Sequence, residues 1–340
     1  MLRTNSPPPP TDPLLHAFEP PRPFTESVVR MLRLSNTALD SVFYDTPRLI
    51  ADLQAADLGV ATSDEKRPTR IIDLGALGNP EGSLLLIDAT TAPYVHRFHD
   101  VGAFLGSPYE EARTVDVVTV TGVGSSALGS AALAWDVSRV LRKRVLAIVP
   151  GYGVADVIQQ GLGGWFAFGL HDYLGMKTVT QNVLASLAPR TAAVGRQLSA
   201  TLDHPATLRD APVFRHGSGS SDVLHSLIAD RPARFSMVVG HSKGALVIGN
   251  ALRDQSLDRV SDLDVVTLGC PIAQDVTVAR YHQFLGRYDL LGQMNMLGHW
   301  PTTWTDTWHS TNVSLLAAMN VRELVEQALE ATVKTTARLH

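Results

Sequence analysis

The sequence predicts an α/β fold in which a mostly parallel central sheet is flanked by helices. Between residues 111 and 335, short apolar runs of strand length alternate with stretches of helical periodicity, which is the pattern of a parallel sheet covered on both faces. A glycine- and serine-rich turn at 121–126 joins the first of these strands to a helix. Hydrophobic residues make up 45% of the 340-residue chain, which is enough for one large core.

The region before this core is predicted to contain a tail, two helices and a strand pair. Residues 1–25 are interpreted as a proline-rich tail, since four consecutive prolines begin at Pro7 and others follow. Residues 26–110 are expected to pack on the core, with the strand pair within 83–98. Helical spacing of apolar residues appears at Val28, Val29, Met31 and Leu32, and again at Leu49, Ile50 and Leu53.

The core itself is predicted at 111–335, with a helical cap insertion at about 155–230. In the insertion, helical stretches follow one another without a convincing core strand. The predicted core strands are 115–120, 145–149, 235–239, 263–268 and 282–288. The predicted core helices run from the glycine turn to about Leu141, from 243 to 253, and from about Val313 to Leu329.

Charge and cysteine content argue against several classes of function. The formal net charge of −4 provides no basic surface for a phosphate backbone, so we expect no nucleic-acid partner. Cys270 is the only cysteine, so neither an intrachain disulfide nor a thiolate metal cluster is possible, and we expect no metal and no cofactor. Prolines near the start of the sequence argue against a signal peptide. No run of 18 apolar residues is present, so we expect no integral membrane segment. We therefore expect a cytoplasmic protein, with leaderless secretion as the alternative, and its oligomeric state stays open.

The most informative motif is Gly240-His241-Ser242-Lys243-Gly244, which lies between an apolar strand and a helical stretch. A serine on a sharp strand-to-helix turn needs small residues two positions before and after it, because larger side chains would collide with the neighbouring strand and helix. The turn also directs the backbone N–H of Lys243 toward the space in front of the serine. We interpret Ser242 as a nucleophile; the alternative is a serine that only caps the helix.

This motif and its context resemble the nucleophile elbow of the α/β-hydrolase superfamily over roughly residues 110–330. Two later segments resemble class 3 lipases: the strand end Thr267-Leu-Gly-Cys-Pro271 and the strand that runs from His282 to Asp289. The resemblance implies an α/β-hydrolase fold, a serine hydrolase, and the chain order nucleophile, acid, histidine. Asp289 is therefore the favoured acid, with Asp275 as the alternative and Asp306 as the third choice.

Four histidines follow the serine in the sequence. His340 is the last residue, where chain ends fray, and His282 would lie on a strand before the acid, where it is expected to pack or pair. His309 lies twenty residues after Asp289 and before the last predicted helix, a position that matches the histidine loop of the superfamily. His299 is the rival, although Pro301 favours an extended turn there.

The second oxyanion donor is expected in the glycine turn, where Val123, Gly124 and Ser125 offer backbone N–H groups at the start of a helix. The same turn suggests a remote alternative, an NAD(P)-dependent Rossmann oxidoreductase with Tyr173 and Lys177 as a Tyr-x-x-x-Lys pair. The positions of the glycines and the lack of a suitable acidic residue argue against it.

The substrate pocket is expected to include aromatic residues from the insertion and from the histidine loop. These candidates are Trp165, Phe166, Phe168, Trp304 and Trp308; ordinary core packing is the alternative for all of them. The predicted function is hydrolysis of carboxylic esters, with a small acyl ester or a lipid as substrate. A thioesterase or acyltransferase would use the same residues, and a non-catalytic binding protein with this fold is the alternative of another class.

Overall fold

The computed structural model describes residues 19–61, 82–108, 110–196, 207–209, 211–231, 233–277 and 279–339. The protein has an α/β fold with a mostly parallel, eight-stranded central sheet flanked by helices, as predicted at the level of fold class. The sheet strands are β1 (Leu84–Ile87), β2 (Val95–Phe98), β3 (Val117–Val120), β4 (Val145–Ile148), β7 (Met237–His241), β8 (Asp264–Leu268), β9 (Arg280–Gly286) and β10 (Thr303–Thr305). A separate two-stranded sheet contains β5 (Thr207–Leu208) and β6 (Ala211–Pro212).

The strand order explains which loops meet at one edge of the sheet. The order is β10-β9-β8-β7-β3-β4-β1-β2, and the six strands from β10 to β4 pair in parallel. The predicted strand pair, β1 and β2, is antiparallel and lies at the far edge. Because β9, β8, β7 and β3 are neighbours, the loops that follow their carboxyl ends lie side by side.

Helices cover both faces of this sheet, and the strands alternate their side chains between two cores. In β7, Val238 contributes to one core, whereas Met237 and Val239 contribute to the other. The helices are α1 (Arg22–Phe43), α2 (Thr46–Ala61), α3 (Val101–Leu105), α4 (Glu110–Thr114), α5 (Ala127–Leu141), α6 (Val154–Gln159), α7 (Phe168–Tyr173), α8 (Met176–Leu187), α9 (Pro189–Ala192), α10 (Gly219–Asp230), α11 (Lys243–Leu252), α12 (Leu257–Val260), α13 (Leu290–Asn295) and α14 (Val321–Leu339). A π-helical turn, Gln160–Gly164, follows α6.

Helix α1 begins earlier than the sequence predicted. The predicted tail extended to residue 25, but residues 22–25 already belong to the helix, and residues 1–18 lie outside the described part of the chain. Prolines do not prevent this start, because Pro21 caps the helix and Pro23 lies in its first turn. A proline there loses no hydrogen bond, since the first N–H groups of a helix have no intrahelical acceptor.

The buried face of α1 is mostly polar, although Val29 of the predicted apolar pattern is also buried. Met31, which the helical spacing included in an apolar face, is 63% exposed. The buried side of the helix instead carries Arg33, Asn36 and Asp40, and Tyr44 directly follows it. A helix that buries polar side chains must provide them with hydrogen-bond partners, and α1 finds most of them in the loops at the edge of the sheet.

The predicted insertion at about 155–230 includes one helix that belongs to the core. The segment from α6 to β6 lies outside the sheet layers, but α10 packs against α11, with Val223, Leu224 and Leu227 in the main core. This helix is the crossover that leads from the insertion into β7. Its buried apolar face therefore places the end of the insertion before Gly219.

The last helix starts later than predicted, at Val321 rather than near Val313. Residues 313–320 form turns in which Asn312 accepts hydrogen bonds from the backbone and side chain of Ser314. The Asn320 side chain accepts from the N–H of Arg322 at 3.2 Å and so competes with an earlier helix start. No helix in the described part of the chain is long and apolar enough to cross a membrane.

Candidate active site

Ser242 lies on the sharp turn between β7 and α11, at the edge where four loops meet. Its backbone has φ 56° and ψ −129°, a conformation that costs a non-glycine residue about 1–3 kcal/mol. The turn is held by two backbone hydrogen bonds: the Ser242 N–H donates to the carbonyl of Leu268 at 2.8 Å, and its carbonyl accepts from Ala245 at 3.0 Å. The strained backbone directs the side chain away from the helix that follows.

The two glycines of the motif allow close packing around this turn. A Cβ atom at Gly244 would lie 2.2 Å from the carbonyl oxygen of Val120, and one at Gly240 would lie 2.6 Å from the side chain of Ile248. Both distances are shorter than any real contact. Any other residue at these positions would push α11 away from β3 and move the serine.

A hydroxyl, an imidazole and a carboxylate form a continuous hydrogen-bonded chain at this site. Oγ of Ser242 lies 2.8 Å from Nε2 of His309, and Nδ1 of His309 lies 2.8 and 2.9 Å from the two carboxylate oxygens of Asp289. All three side chains are buried, and Asp289 is only 1% exposed. Because a carboxylate can only accept, Nδ1 donates and Nε2 is free to accept the serine proton. The arrangement can deprotonate a serine hydroxyl.

Asp289 is oriented by a backbone donor and by space left for it. One carboxylate oxygen accepts from the N–H of Gly292 at 2.6 Å, so the residue also caps α13. Gly269 provides the space: a Cβ there would lie 3.1 Å from both Asp289 and the His309 ring. The φ of Gly269 is +72°, which also favours glycine. Asp289 thus caps a helix and contacts His309 at the same time.

The loop that carries His309 is anchored on the end of α1. The last carbonyls of a helix have no intrahelical donor, and here three of them accept from the loop. Ser310 donates to Val42 at 2.6 Å, and Thr311 donates to Phe43 through both its N–H and its hydroxyl. The side-chain amide of Asn312 donates to the carbonyl of Ser41 at 2.6 Å. The histidine is therefore held in place by the N-terminal helix.

A second chain of hydrogen bonds lies behind the first. The N–H of Gly122 donates to the Tyr44 hydroxyl at 2.7 Å, this hydroxyl lies 3.0 Å from Nδ1 of His241, and Nε2 of His241 lies 2.8 Å from the carbonyl oxygen of His309. A carbonyl only accepts, so Nε2 of His241 is the donor and its Nδ1 accepts from Tyr44. Burial, and next the nearby His309, lower the pKa of His241 to about 3, which keeps the ring neutral as this chain requires.

Among the predicted oxyanion donors, Val123 has the most favourable position. Its N–H has no hydrogen-bond acceptor among the described residues, and it lines the same pocket as Ser242. The N–H of Ser125 donates weakly to the carbonyl of Gly122 at 3.5 Å. Gly124 does not line the pocket of Ser242; it lines a second pocket on the other side of the glycine turn. Lys243 is the first residue of α11, so its N–H has no intrahelical acceptor.

The pocket in front of Ser242, here called the triad pocket, is lined by α1, the glycine turn and the insertion. Trp165 is the one predicted aromatic residue that lines it. Phe168 is instead buried in the main core, and Phe166 is 68% exposed. The two phenylalanines differ because the chain turns at Ala167 to start α7, which directs Phe168 inward and leaves Phe166 outside.

Trp304 and Trp308 do not line the triad pocket. They are four residues apart in the sequence, a spacing that produces neighbours only in a helix. Here Trp304 lies on the edge strand β10 and contacts Trp300 edge-to-face, and the chain after Thr305 is irregular. The extended backbone separates the two rings.

The rival candidates lie away from Ser242. His299 and Asp275 are exposed, and Asp306 forms an exposed ion pair with Arg287. His282 lies on β9 and contacts Asp264 and Thr332, the pairing role that its strand position predicted. His340 lies outside the described residues.

The residues that the sequence did not identify come from α1. Asp40 accepts from the N–H of Ser126 at 2.9 Å and so holds the glycine turn at the start of α5; its pKa is raised, mainly by burial. Asn36 lines the triad pocket, and its buried amide nitrogen has no hydrogen-bond partner among the described residues. The sequence does contain a pattern that could have identified them, because Arg33, Asn36 and Asp40 recur at helical spacing. Apolar periodicity alone does not detect a buried helix face that is polar.

The described residues contain no cluster of three or more histidine, cysteine or acidic side chains placed to hold a metal ion. Comparisons of the chain with models of known protein families, with curated proteins and with solved structures found no match. Functional assignment therefore depends on the geometry of the site itself.

Proposed function

We propose that this protein is a serine hydrolase of the α/β-hydrolase fold that cleaves carboxylic esters through Ser242, His309 and Asp289. The observation that carries this proposal is the unbroken chain from the Ser242 hydroxyl through His309 to Asp289, with each link between 2.8 and 2.9 Å. The strand, strained turn and helix around Ser242 support it, as does the chain order serine, acid, histidine.

In the proposed reaction, His309 accepts the proton of Ser242 while Oγ bonds to the ester carbonyl carbon. The carbonyl electrons move onto the oxygen, which the N–H groups of Lys243 and Val123 stabilise. When the tetrahedral intermediate collapses, the bond to the alcohol oxygen breaks and the imidazolium of His309 donates its proton to the leaving group. Asp289 stabilises the imidazolium and fixes the ring so that Nε2 faces the serine.

The acyl-enzyme is then hydrolysed by the same groups in reverse order. His309 removes a proton from water, the hydroxide bonds to the acyl carbon, and collapse of the second intermediate returns the proton to Oγ of Ser242. The acid is released. The resemblance of the later strands to class 3 lipases favours an ester over an amide; a thioester, or transfer of the acyl group to an alcohol other than water, would use identical steps.

A fluorophosphonate probe tests the proposal directly. The probe phosphonylates an activated serine, so we expect stoichiometric labelling of the purified protein and none of Ser242→Ala. His309→Ala should label far more slowly, whereas Ser27→Ala, an exposed serine on α1, should label normally. A series of 4-nitrophenyl esters of increasing acyl length then identifies the preferred chain. A wild-type protein that neither labels nor hydrolyses any ester contradicts the proposal and favours a non-catalytic binding protein.

A further inference from the structure

A second pocket, here called the cation pocket, lies on the other side of the glycine turn from the triad pocket. Gly122 and Val123 line both pockets, and a Cβ at Gly122 would lie only 2.9 Å from the Cβ of Ser242. Lys243, the residue after the serine, also lines the cation pocket. A group bound there can therefore belong to the same substrate molecule as an ester at Ser242, joined to that ester by a short linker.

Two ammonium groups, Lys177 and Lys243, and one carboxylate, Asp156, line this pocket. Lys177 pairs with Asp156 at 2.7 Å, and Arg196 pairs with the other oxygen of Asp156 at 2.8 Å, so one carboxylate serves two cations. Lys243 lies within ion-pair distance of no carboxylate in the described part of the chain. Asp172, which is not among the lining residues, accepts two hydrogen bonds from Asn250. Because Asp156 is shared between Lys177 and Arg196, the two ammonium groups of the lining retain excess positive charge.

The pKa of Lys177 is consistent with this imbalance. This pKa is lowered to about 8, mainly by burial and also by Lys243 and Arg196, against the opposing effect of Asp156. Buried cations are stable only when they are paired. A bound anion would provide a partner for Lys243 and a second partner for Lys177.

Polar donors complete the lining. Helix α10, twelve residues long, begins at the wall of the pocket, where Ser218 caps it by accepting from the N–H of Ser221 at 3.1 Å. Ser220 lies in the first turn, is only 7% exposed, and has no hydrogen-bond partner among the described residues. Its hydroxyl and the first N–H groups of the helix are groups that commonly bind anions.

We propose that the cation pocket binds an anionic group of the substrate, a carboxylate or a phosphate, and so selects esters that carry a negative charge near the scissile bond. This inference rests on the proposed function, since it assigns a substrate class to the same site. Lys243 and Lys177 supply the charge, and Ser220 and the start of α10 supply hydrogen-bond donors. Recognition of a charged group by paired ammonium groups stabilises the bound ester more than a neutral contact of the same shape.

Two pairs of esters test this inference and separate the two sources of charge. The first pair is the 4-nitrophenyl monoester of glutaric acid and its neutral counterpart, 4-nitrophenyl 5-methylhexanoate. The second pair is the butyryl ester of glycerol 3-phosphate and that of glycerol. In at least one pair, we expect kcat/KM of the charged ester to exceed that of the neutral ester by about tenfold or more.

Variants then assign the preference to the pocket. Lys177→Met and Lys243→Met keep the apolar stems and should lower the charged-to-neutral ratio of kcat/KM by about tenfold each. Lys334→Met is the control, because Lys334 is exposed on α14 and pairs with the exposed Glu330 at 3.3 Å; it should leave the ratio unchanged. A ratio of one or less in both pairs, or a ratio that neither variant changes, overturns the inference.

A binding measurement distinguishes failure of this inference from failure of the proposed function. Titration calorimetry with inorganic phosphate and with glutarate, on the full chain, should detect binding that Lys243→Met and Lys177→Met weaken and Lys334→Met does not. Binding without ester hydrolysis would contradict the proposed function but keep the anion site. Hydrolysis of neutral esters without anion binding would support the proposed function and contradict the anion site.

Discussion

The hydroxyl of Tyr44, at the end of the N-terminal helix, donates to Nδ1 of His241, the residue before the candidate nucleophile. Through this bond, α1 is connected to the glycine turn on one side and to the backbone of His309 on the other. The N-terminal region is therefore part of the framework of the candidate active site, although it lies outside the part of the sequence that resembles hydrolases. This connection can be tested by removing one atom.

Tyr44→Phe removes the hydroxyl and leaves two buried groups unpaired, the N–H of Gly122 and Nδ1 of His241. We expect the free energy of unfolding to fall by about 1–3 kcal/mol for each unpaired group, and kcat to fall as well, because the glycine turn and His309 lose a shared anchor. Urea unfolding and ester turnover measure the two effects. Tyr288→Phe is the matched control, since Tyr288 is 64% exposed; equal effects of the two variants would contradict this account.

The lowered pKa of His241 predicts how stability depends on pH. The folded protein binds a proton at His241 only near pH 3, whereas the unfolded chain binds one near the ordinary value of about 6.5. Between these values the unfolded state holds more protons, so the free energy of unfolding should fall as the pH falls from about 6.5 toward 3.

A comparison with His241→Gln isolates this contribution. The glutamine cannot titrate, so the loss of stability between about pH 7 and pH 4.5 should be smaller in the variant than in the wild type. Urea unfolding at the two pH values gives both differences. The two proteins would lose equal stability if His241 did not contribute.

Much of the core could be predicted from the sequence, because the elements around Ser242 are strongly patterned. The buried run before Gly240 and the helical stretch after Lys243 specify a strand and a helix with a sharp turn between them. Once Ser242 is placed, few histidines follow it in the chain, and the position of His309 before the last helix distinguishes it from His299. The neighbouring strands then bring Asp289 and His309 to the same edge.

The contribution of α1 could not be predicted by the same reasoning. Apolar periodicity assigns the apolar face of a helix to the core, but α1 exposes Met31 and Leu34 and buries Asn36 and Asp40. The partner of Asp40 is the backbone N–H of Ser126, a loop group 86 residues away in the sequence. Such contacts depend on where loops meet in space, which no local pattern records.

Asp289→Asn should separate orientation from charge at the acid. An amide at this position can still accept from His309, but it can also donate, which favours the wrong tautomer of the ring and does not stabilise the imidazolium. We expect kcat to fall by about 10³–10⁴, with Ser242 still present and unchanged. Asp306→Asn, on the exposed rival, should have no effect on turnover. A loss of less than tenfold in Asp289→Asn would show that this carboxylate is not the partner of His309 in catalysis.

Asn36→Leu tests whether the unpaired amide in the triad pocket contacts the substrate. A buried donor without a partner destabilises the folded protein, so an apolar residue of similar size should leave stability unchanged or raise it. If the amide donates to the ester in the complex, kcat/KM should fall by about tenfold nonetheless. Asn182→Leu, an exposed position on α8, should leave kcat/KM unchanged. Equal turnover of the wild type and Asn36→Leu would remove Asn36 from the site.

The strained turn at Ser242 predicts a conflict between stability and activity. Glycine adopts positive φ without the clash that a Cβ atom creates, so Ser242→Gly should release strain that Ser242→Ala retains. Both variants lack the hydroxyl and should be inactive, so their difference in stability reports the backbone alone. We expect Ser242→Gly to be more stable than Ser242→Ala by about 1 kcal/mol, since the strain of about 1–3 kcal/mol exceeds the entropy that glycine loses on folding, about 0.5–1 kcal/mol. Urea unfolding of the two variants measures this difference, and an alanine variant as stable as the glycine variant would mean that the turn stores no strain.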